Sequence, residues 1–155
     1  MKTLQNERGN SILLSAFLLL AMMMISLVIY TISLVYTKYQ AAQVELERAG
    51  SVSVDRNMKN DNIRDLALDV PTVATEQAVK NNLMNTGWEE ETAGRWVRTG
   101  GSDEIYTVSD LTATINTGWI DITGIWSMPL PWLANTLPAI QIPIAVKSKV
   151  LYIDP

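Results

Sequence analysis

Apolar and polar positions are distributed very unevenly along this chain, and three textures follow one another. From Gly9 to Thr37 there is no charged residue. Within that stretch Ile12 to Tyr36 (ILLSAFLLLAMMMISLVIYTISLVY) is broken only by Ser15, Ser26, Thr31 and Ser33. Hydroxyl side chains can return a hydrogen bond to the helix backbone, so these four suit a helix in lipid. At a rise of about 1.5 Å per residue the run spans about 37 Å, more than the ~30 Å hydrocarbon core of a bilayer. A cleaved secretory signal has a shorter apolar run followed by a small-residue cleavage site, and neither feature is present. The pattern predicts a membrane helix over residues 10–37.

The second texture is amphipathic. Lys38 to Ala49 (KYQAAQVELERA) holds good helix formers and no glycine or proline. Tyr39, Ala42, Leu46 and Ala49 repeat at helical spacing and share one narrow stripe. The helix is expected to continue through residues 38–50, to stop at Gly50, and to lay this stripe against the following domain. Residues 51–71 read as a loop or irregular helix ending at Pro71. A short helix is expected from Thr72 or Thr75 to Asn85, with Gly87 beyond its end.

The third texture is that of strands and turns. Trp88–Glu91 and Arg95–Thr99 flank Ala93–Gly94 as a hairpin, and Gly100, Gly101 and Ser102 make a second turn. Ile105–Asn116 and Trp119–Trp126 are rich in β-branched residues, the latter interrupted by Gly124. Pro129, Pro131 and Pro138 mark an extended loop. A last strand is expected from about Ile144, with Pro143 at its start or on an edge, and with Ser148 interrupting its apolar face. The fold class expected is α+β: a long N-terminal transmembrane helix extending into a small ectodomain with a short helix and a mostly antiparallel sheet of about four or five strands. Residues 1–9 form a short leader and residues 51–155 the exported domain.

Charge gives this layout a direction. The first 38 residues carry Lys2, Arg8 and Lys38 against Glu7, a net +2, while the remainder carries nine basic and fifteen acidic residues, a net −6. With Lys2 and Arg8 before the apolar run and only Lys38 close after it, the positive-inside rule puts the N-terminus in the cytoplasm and the C-terminal domain outside. An acidic exterior domain is repelled by phosphates, so no nucleic-acid partner is expected. There are no cysteines and no histidines among the 155 residues. Thiolate chemistry, disulfides and Cys-ligated metals are excluded, and so is histidine as base or ligand. No Walker-type loop, S-x-x-K or G-x-S-x-G motif occurs. No catalysis, catalytic residue, cofactor or resident metal is expected. The clusters Glu89–Glu91 and Asp103–Glu104, with Asp55, Asn57 and Asp61, lack the glycine and terminal glutamate of an EF-hand loop and read as solvated charge.

All five tryptophans lie after residue 87. Trp88, Trp96 and Trp119 are expected in the core of a small domain without disulfides. Trp126 and Trp132, with Pro129 and Pro131, border the proline loop, and are candidates either for the core or for a partner surface.

One further pattern lies at the front of the chain. Arg8-Gly9 precedes the apolar helix, which runs on into Tyr39, Ala41, Ala42, Glu47, Arg48, Ala49 and Gly50. Over residues 7–56 this resembles the N-terminal part of TadE/TadG-like pseudopilins, relatives of the type IV pilins. The resemblance implies a helix-plus-sheet ectodomain and a role in assembling or priming a surface pilus or related secretion machine. It implies as partners the lipid bilayer, other pilin-like subunits or membrane assembly proteins, and a prepilin peptidase cutting between Gly9 and Asn10. Asn10 stands where the family usually has an apolar residue, and Leu14 where it has a glutamate thought to neutralise a neighbouring subunit's new amino terminus. Those departures point to a minor or initiating subunit, or to a protein that is never cleaved. The alternative function is a membrane-tethered extracytoplasmic binding module for cell-wall glycan or a protein partner, acting through Trp126, Trp132 and the proline loop.

Overall fold

Nothing between Ser11 and Ala49 interrupts a helix, and none is interrupted there: α1 runs from Thr3 to Asn57. The computed structural model describes residues 3–57, 72–100, 103–116, 119–130 and 137–149. These fall into two compact units, residues 1–37 and residues 38–155. In the first unit the apolar residues of α1 face outward on every side. Phe17 is 71% exposed and Leu14 68%, and none of the large apolar residues from Ile12 to Ile32 is buried. The hydroxyls of Ser15, Ser26, Thr31 and Thr37 donate to the carbonyls of Ser11, Met22, Leu27 and Ser33, each four residues back, at 2.8–2.9 Å. A helix that is apolar all round and returns these four hydroxyls to its own backbone is suited to lipid rather than to water. It is long and apolar enough to cross a membrane, and so it suggests a single-pass anchor.

The second unit is α+β. A short helix, α2 (Thr72–Asn85), precedes five strands: β1 (Trp88–Thr92), β2 (Arg95–Gly100), β3 (Asp103–Asn116), β4 (Trp119–Met128) and β5 (Ile140–Lys149). They form one antiparallel meander in the order β1-β2-β3-β4-β5. Helix α2 ends where Thr86 and Gly87 donate their amides to the carbonyls of Asn82 and Met84, with Gly87 at φ +90°. Gly94, at φ +82°, makes the β1–β2 turn. Both positions need the left-handed backbone that glycine adopts without a Cβ penalty.

Strand β4 shows which face is the core. Ile120, Ile122, Trp126 and Met128 are buried, and the odd-numbered residues between them point the other way. Register carries this parity across the sheet in rows: Trp96–Val108–Trp126–Ile142, Ala113–Ile122–Val146 and Ile115–Ile120–Ser148. The core positions of β3 switch from even to odd numbers because one extra residue is inserted between Ser109 and Thr112. Such a bulge exchanges the two faces of a strand. Asp110 sits inside it at φ 53°, a conformation Asp tolerates better than most residues.

Four expectations are corrected here. Helix α1 passes through Gly50 and continues to Asn57, so residues 51–57 are helical rather than irregular. Gly50 is required for closeness, since a Cβ there would stand 3.1 Å from Ile122 Cδ1 and 3.2 Å from Ile120 Cγ2. Gly124 does not interrupt β4. It makes room for the bulge of β3, as a Cβ would come within 2.9 Å of Val108 Cγ1 and 3.0 Å of the Ser109 carbonyl oxygen. Strand β5 begins at Ile140, before Ile144, and contains Pro143 within it, which an edge strand permits. Ser148 does not break the core face of β5: it is buried, and its hydroxyl is hydrogen-bonded to that of Ser51 in α1.

Candidate functional site

The helix stripe of the second unit is placed as follows. Ala42, Leu46 and Ala49 are buried, as is Gly50 one residue on. Tyr39 is half-buried; its hydroxyl donates to the Pro143 carbonyl at 3.1 Å, and its ring stands edge-on to Trp126 at 5.6 Å. Small residues at 42, 49 and 50 let the helix lie close over the sheet, and Leu46 fills the space between them.

Of the candidate partner surface, Pro131 and Trp132 lie outside the described residues, and Pro129 is half-buried. Trp126 is 0% exposed, flanked by Tyr39 and by Tyr106 at 5.9 Å. It is a core residue and offers no surface to a ligand while the domain is folded. The glycan- or partner-binding reading thereby loses Trp126 as a contact. The reverse correction applies to Trp119, which is 45% exposed, whereas Trp88 and Trp96 are buried. The reason is parity: seven residues separate Trp119 from Trp126 in one unbroken strand, so they must face opposite sides.

Gly9 and Asn10 lie in the first turns of α1. Asp55 and Asn57 also belong to α1, not to a loop, and Asp61 lies outside the described residues. Glu89–Glu91 sit on the exposed edge strand β1, where Glu91 pairs with Arg95 across the turn. Asp103 and Glu104 open β3. Among the described residues no three His, Cys, Asp or Glu side chains group to hold a metal ion.

The most elaborate polar arrangement lies where the back half of α1, the end of α2 and strand β2 meet. Glu45 accepts a 2.7 Å hydrogen bond from the Trp88 indole N–H and pairs with Arg98, whose Nε is 3.2 Å away. Arg98 also donates to the Gly87 carbonyl at 3.0 Å. Charge-assisted bonds of this kind are stronger than neutral ones, especially when partly shielded from water. Tyr106 packs edge-on to Trp88 at 5.4 Å. Burial pushes its phenol up to about 12, helped by the Glu45 charge and opposed by Arg98. Tyr106 is therefore neutral through the physiological range, and no base arises from it.

Next to this network, Asn82 is buried and donates its amide to the Ser53 hydroxyl at 2.9 Å, while its carbonyl accepts from Arg56 at 3.4 Å. Glu45, Arg48, Ala49, Val52, Arg56, Asn82, Asn85, Thr86 and Arg98 together line an open cleft of about 450 Å³. Sequence reasoning missed this cleft. Its arginines are spread over 50 residues, and Arg98 reaches the cleft from β2, where it pairs with Glu45 of the helix. No protein-family model matches the chain, and neither a curated protein nor a solved structure matches it.

Proposed function

We propose that this chain is a non-enzymatic minor subunit of pseudopilin type, tethered in the cytoplasmic membrane, that assists assembly of a surface pilus or related secretion machine. Its N-terminus would lie in the cytoplasm and residues 38–155 outside, as the flanking charges favour. The observation that carries the reading is α1 itself. One helix holds an all-round apolar stretch in its front half and, in its back half, a stripe of Ala42, Leu46, Ala49 and Gly50 buried in an antiparallel α+β unit. The outward-facing apolar front half is the surface through which the anchor would associate laterally with other membrane helices. Leu14, without charge, is consistent with packing by small and apolar side chains rather than by a buried ion pair.

Two experiments test the reading. Mass spectrometry of the membrane-extracted protein is expected to find an N-terminus at Asn10 if the leader is processed; an intact Met1 would remove the peptidase from the account. Because the chain has no cysteine, Leu18→Cys introduces a single reactive site into the exposed front half. Cross-linking in native membranes is expected to trap adducts with pilin-like proteins. Adducts with none, under conditions that trap a known membrane dimer, would refute the assembly role.

A further inference from the structure

The outer wall of the cleft carries cations that the Glu45 network leaves over. Arg48, Val52 and Arg56 follow one another at intervals of four on α1, so they share a face as cation, apolar, cation. Glu45 is the sole carboxylate among the lining residues, and its hydrogen bonds go to Trp88 and Arg98. The lining therefore sums to +2, in a region of the chain that is otherwise acidic. Arg56 is held by the carbonyl of the buried Asn82, whose own amide is fixed by Ser53. That leaves the guanidinium oriented and with donors to spare. Arg48 is exposed at the rim. Between the two arginines the wall is Val52 and Ala49, and the facing wall offers Asn85 and Thr86.

The spacing selects a ligand. Arg48 and Arg56 are eight residues apart in sequence, about 12 Å along the helix axis. An extended peptide advances about 3.3 Å per residue, so acidic side chains four positions apart are separated by about 13 Å and lie on one side of it. We propose that this cleft docks an extended acidic segment of a partner protein, with two carboxylates four residues apart on Arg48 and Arg56. A small residue between them would lie over Val52, and Asn85 and Thr86 would meet the peptide backbone. The inference goes beyond the assembly reading and stands whether or not the partner belongs to a pilus.

Calorimetric titration of the full-length protein in detergent micelles tests it. The probe is a five-residue peptide with glutamate at its first and fifth positions. The same peptide with glutamines is expected to bind at least about tenfold more weakly, and binding should weaken with added salt. Arg48→Gln together with Arg56→Gln is expected to raise the Kd by about tenfold or more, without moving the thermal midpoint. Should the double variant unfold, exposed Arg48→Gln alone gives the reading, with a smaller loss. Equal affinity for the glutamine peptide, unchanged binding by the variants, or no heat with either peptide would overturn the proposal. So would displacement of the peptide by an equal concentration of inorganic phosphate, which would make the cleft a small-oxyanion site.

Discussion

Residues 11–37 and residues 38–57 belong to one helix, yet they meet opposite demands. In the front part leucine, methionine and isoleucine occupy every side, and from Ile12 to Ile32 they are all exposed, with Leu20 at 60%. In the back part a narrow stripe is buried, with Leu46 at 0%, while Glu47 and Arg48 remain in water. Helix propensity does not separate the two, since each mixes good formers with β-branched and hydroxyl residues. What differs is the surrounding each stretch requires. From Ile12 to Ile32 the front has no buried large apolar side chain and suits a surrounding without water. The back has a surface that a β-sheet covers, with small residues at 42, 49 and 50 setting the approach. The same secondary structure thus carries two kinds of surface, one suited to lipid and one buried against a sheet.

The sharpest way to break the comparison is to make the same truncation in both parts. Leu46→Ala is expected to lower the stability of the second unit by about 2–5 kcal/mol, as for other buried leucines. Leu20→Ala should leave that stability unchanged, because Leu20 touches no core. Chemical denaturation of the micelle-bound protein, followed by tryptophan fluorescence, checks both. If the two variants behave alike, the division is wrong.

The complementary substitution acts on the front alone. Met24→Arg puts a charge at the middle of the apolar run, at a cost of about 2.5–3.5 kcal/mol for insertion. The membrane-inserted fraction in an insertion assay should fall several-fold, with residues 38–155 still folded. Gly50→Leu probes the close approach instead. It forces a side chain against Ile120 and Ile122, and a loss of about 1–3 kcal/mol is expected. Gly50→Ala should be milder, because the gain in helix propensity offsets part of the crowding.

The smallest effect is one of pH. Tyr106 has its folded-state pKa raised above its unfolded value of 10.0 to about 12, first by burial and then by Glu45. Its contribution to stability is complete below pH 10 and is lost as pH rises through 12. Denaturation midpoints should therefore fall over that window, and Tyr106→Phe should show a shallower fall than the unmodified protein. Parallel profiles would remove Tyr106 from the alkaline transition.

Much of this architecture was legible in the residues themselves. The apolar run, the stripe at 39, 42, 46 and 49, the Ala93–Gly94 turn and the α2 boundary at Gly87 are local signals, and local signals survive folding. Misreadings arose where a residue answers to something distant. Gly50 looks like a helix stop until Ile120 and Ile122 stand against it, and Gly124 looks like a strand break until β3 bulges toward it. Once β4 is known to be continuous, the parity of Trp119 and Trp126 follows, but its continuity depends on Gly124. The arginine cleft was the least legible, because Arg98 joins Arg48 and Arg56 only through the packing of β2 beside α1.

Fractionation of cells expressing the untruncated chain, with an alkaline carbonate wash followed by protease treatment of intact cells, bears most directly on the claim that residues 12–36 are a permanent tether. The account predicts that the protein stays in the washed membranes and that external protease removes residues beyond the anchor. Release into the soluble fraction, or a tail fully protected in intact cells whose envelope admits the protease, would contradict it.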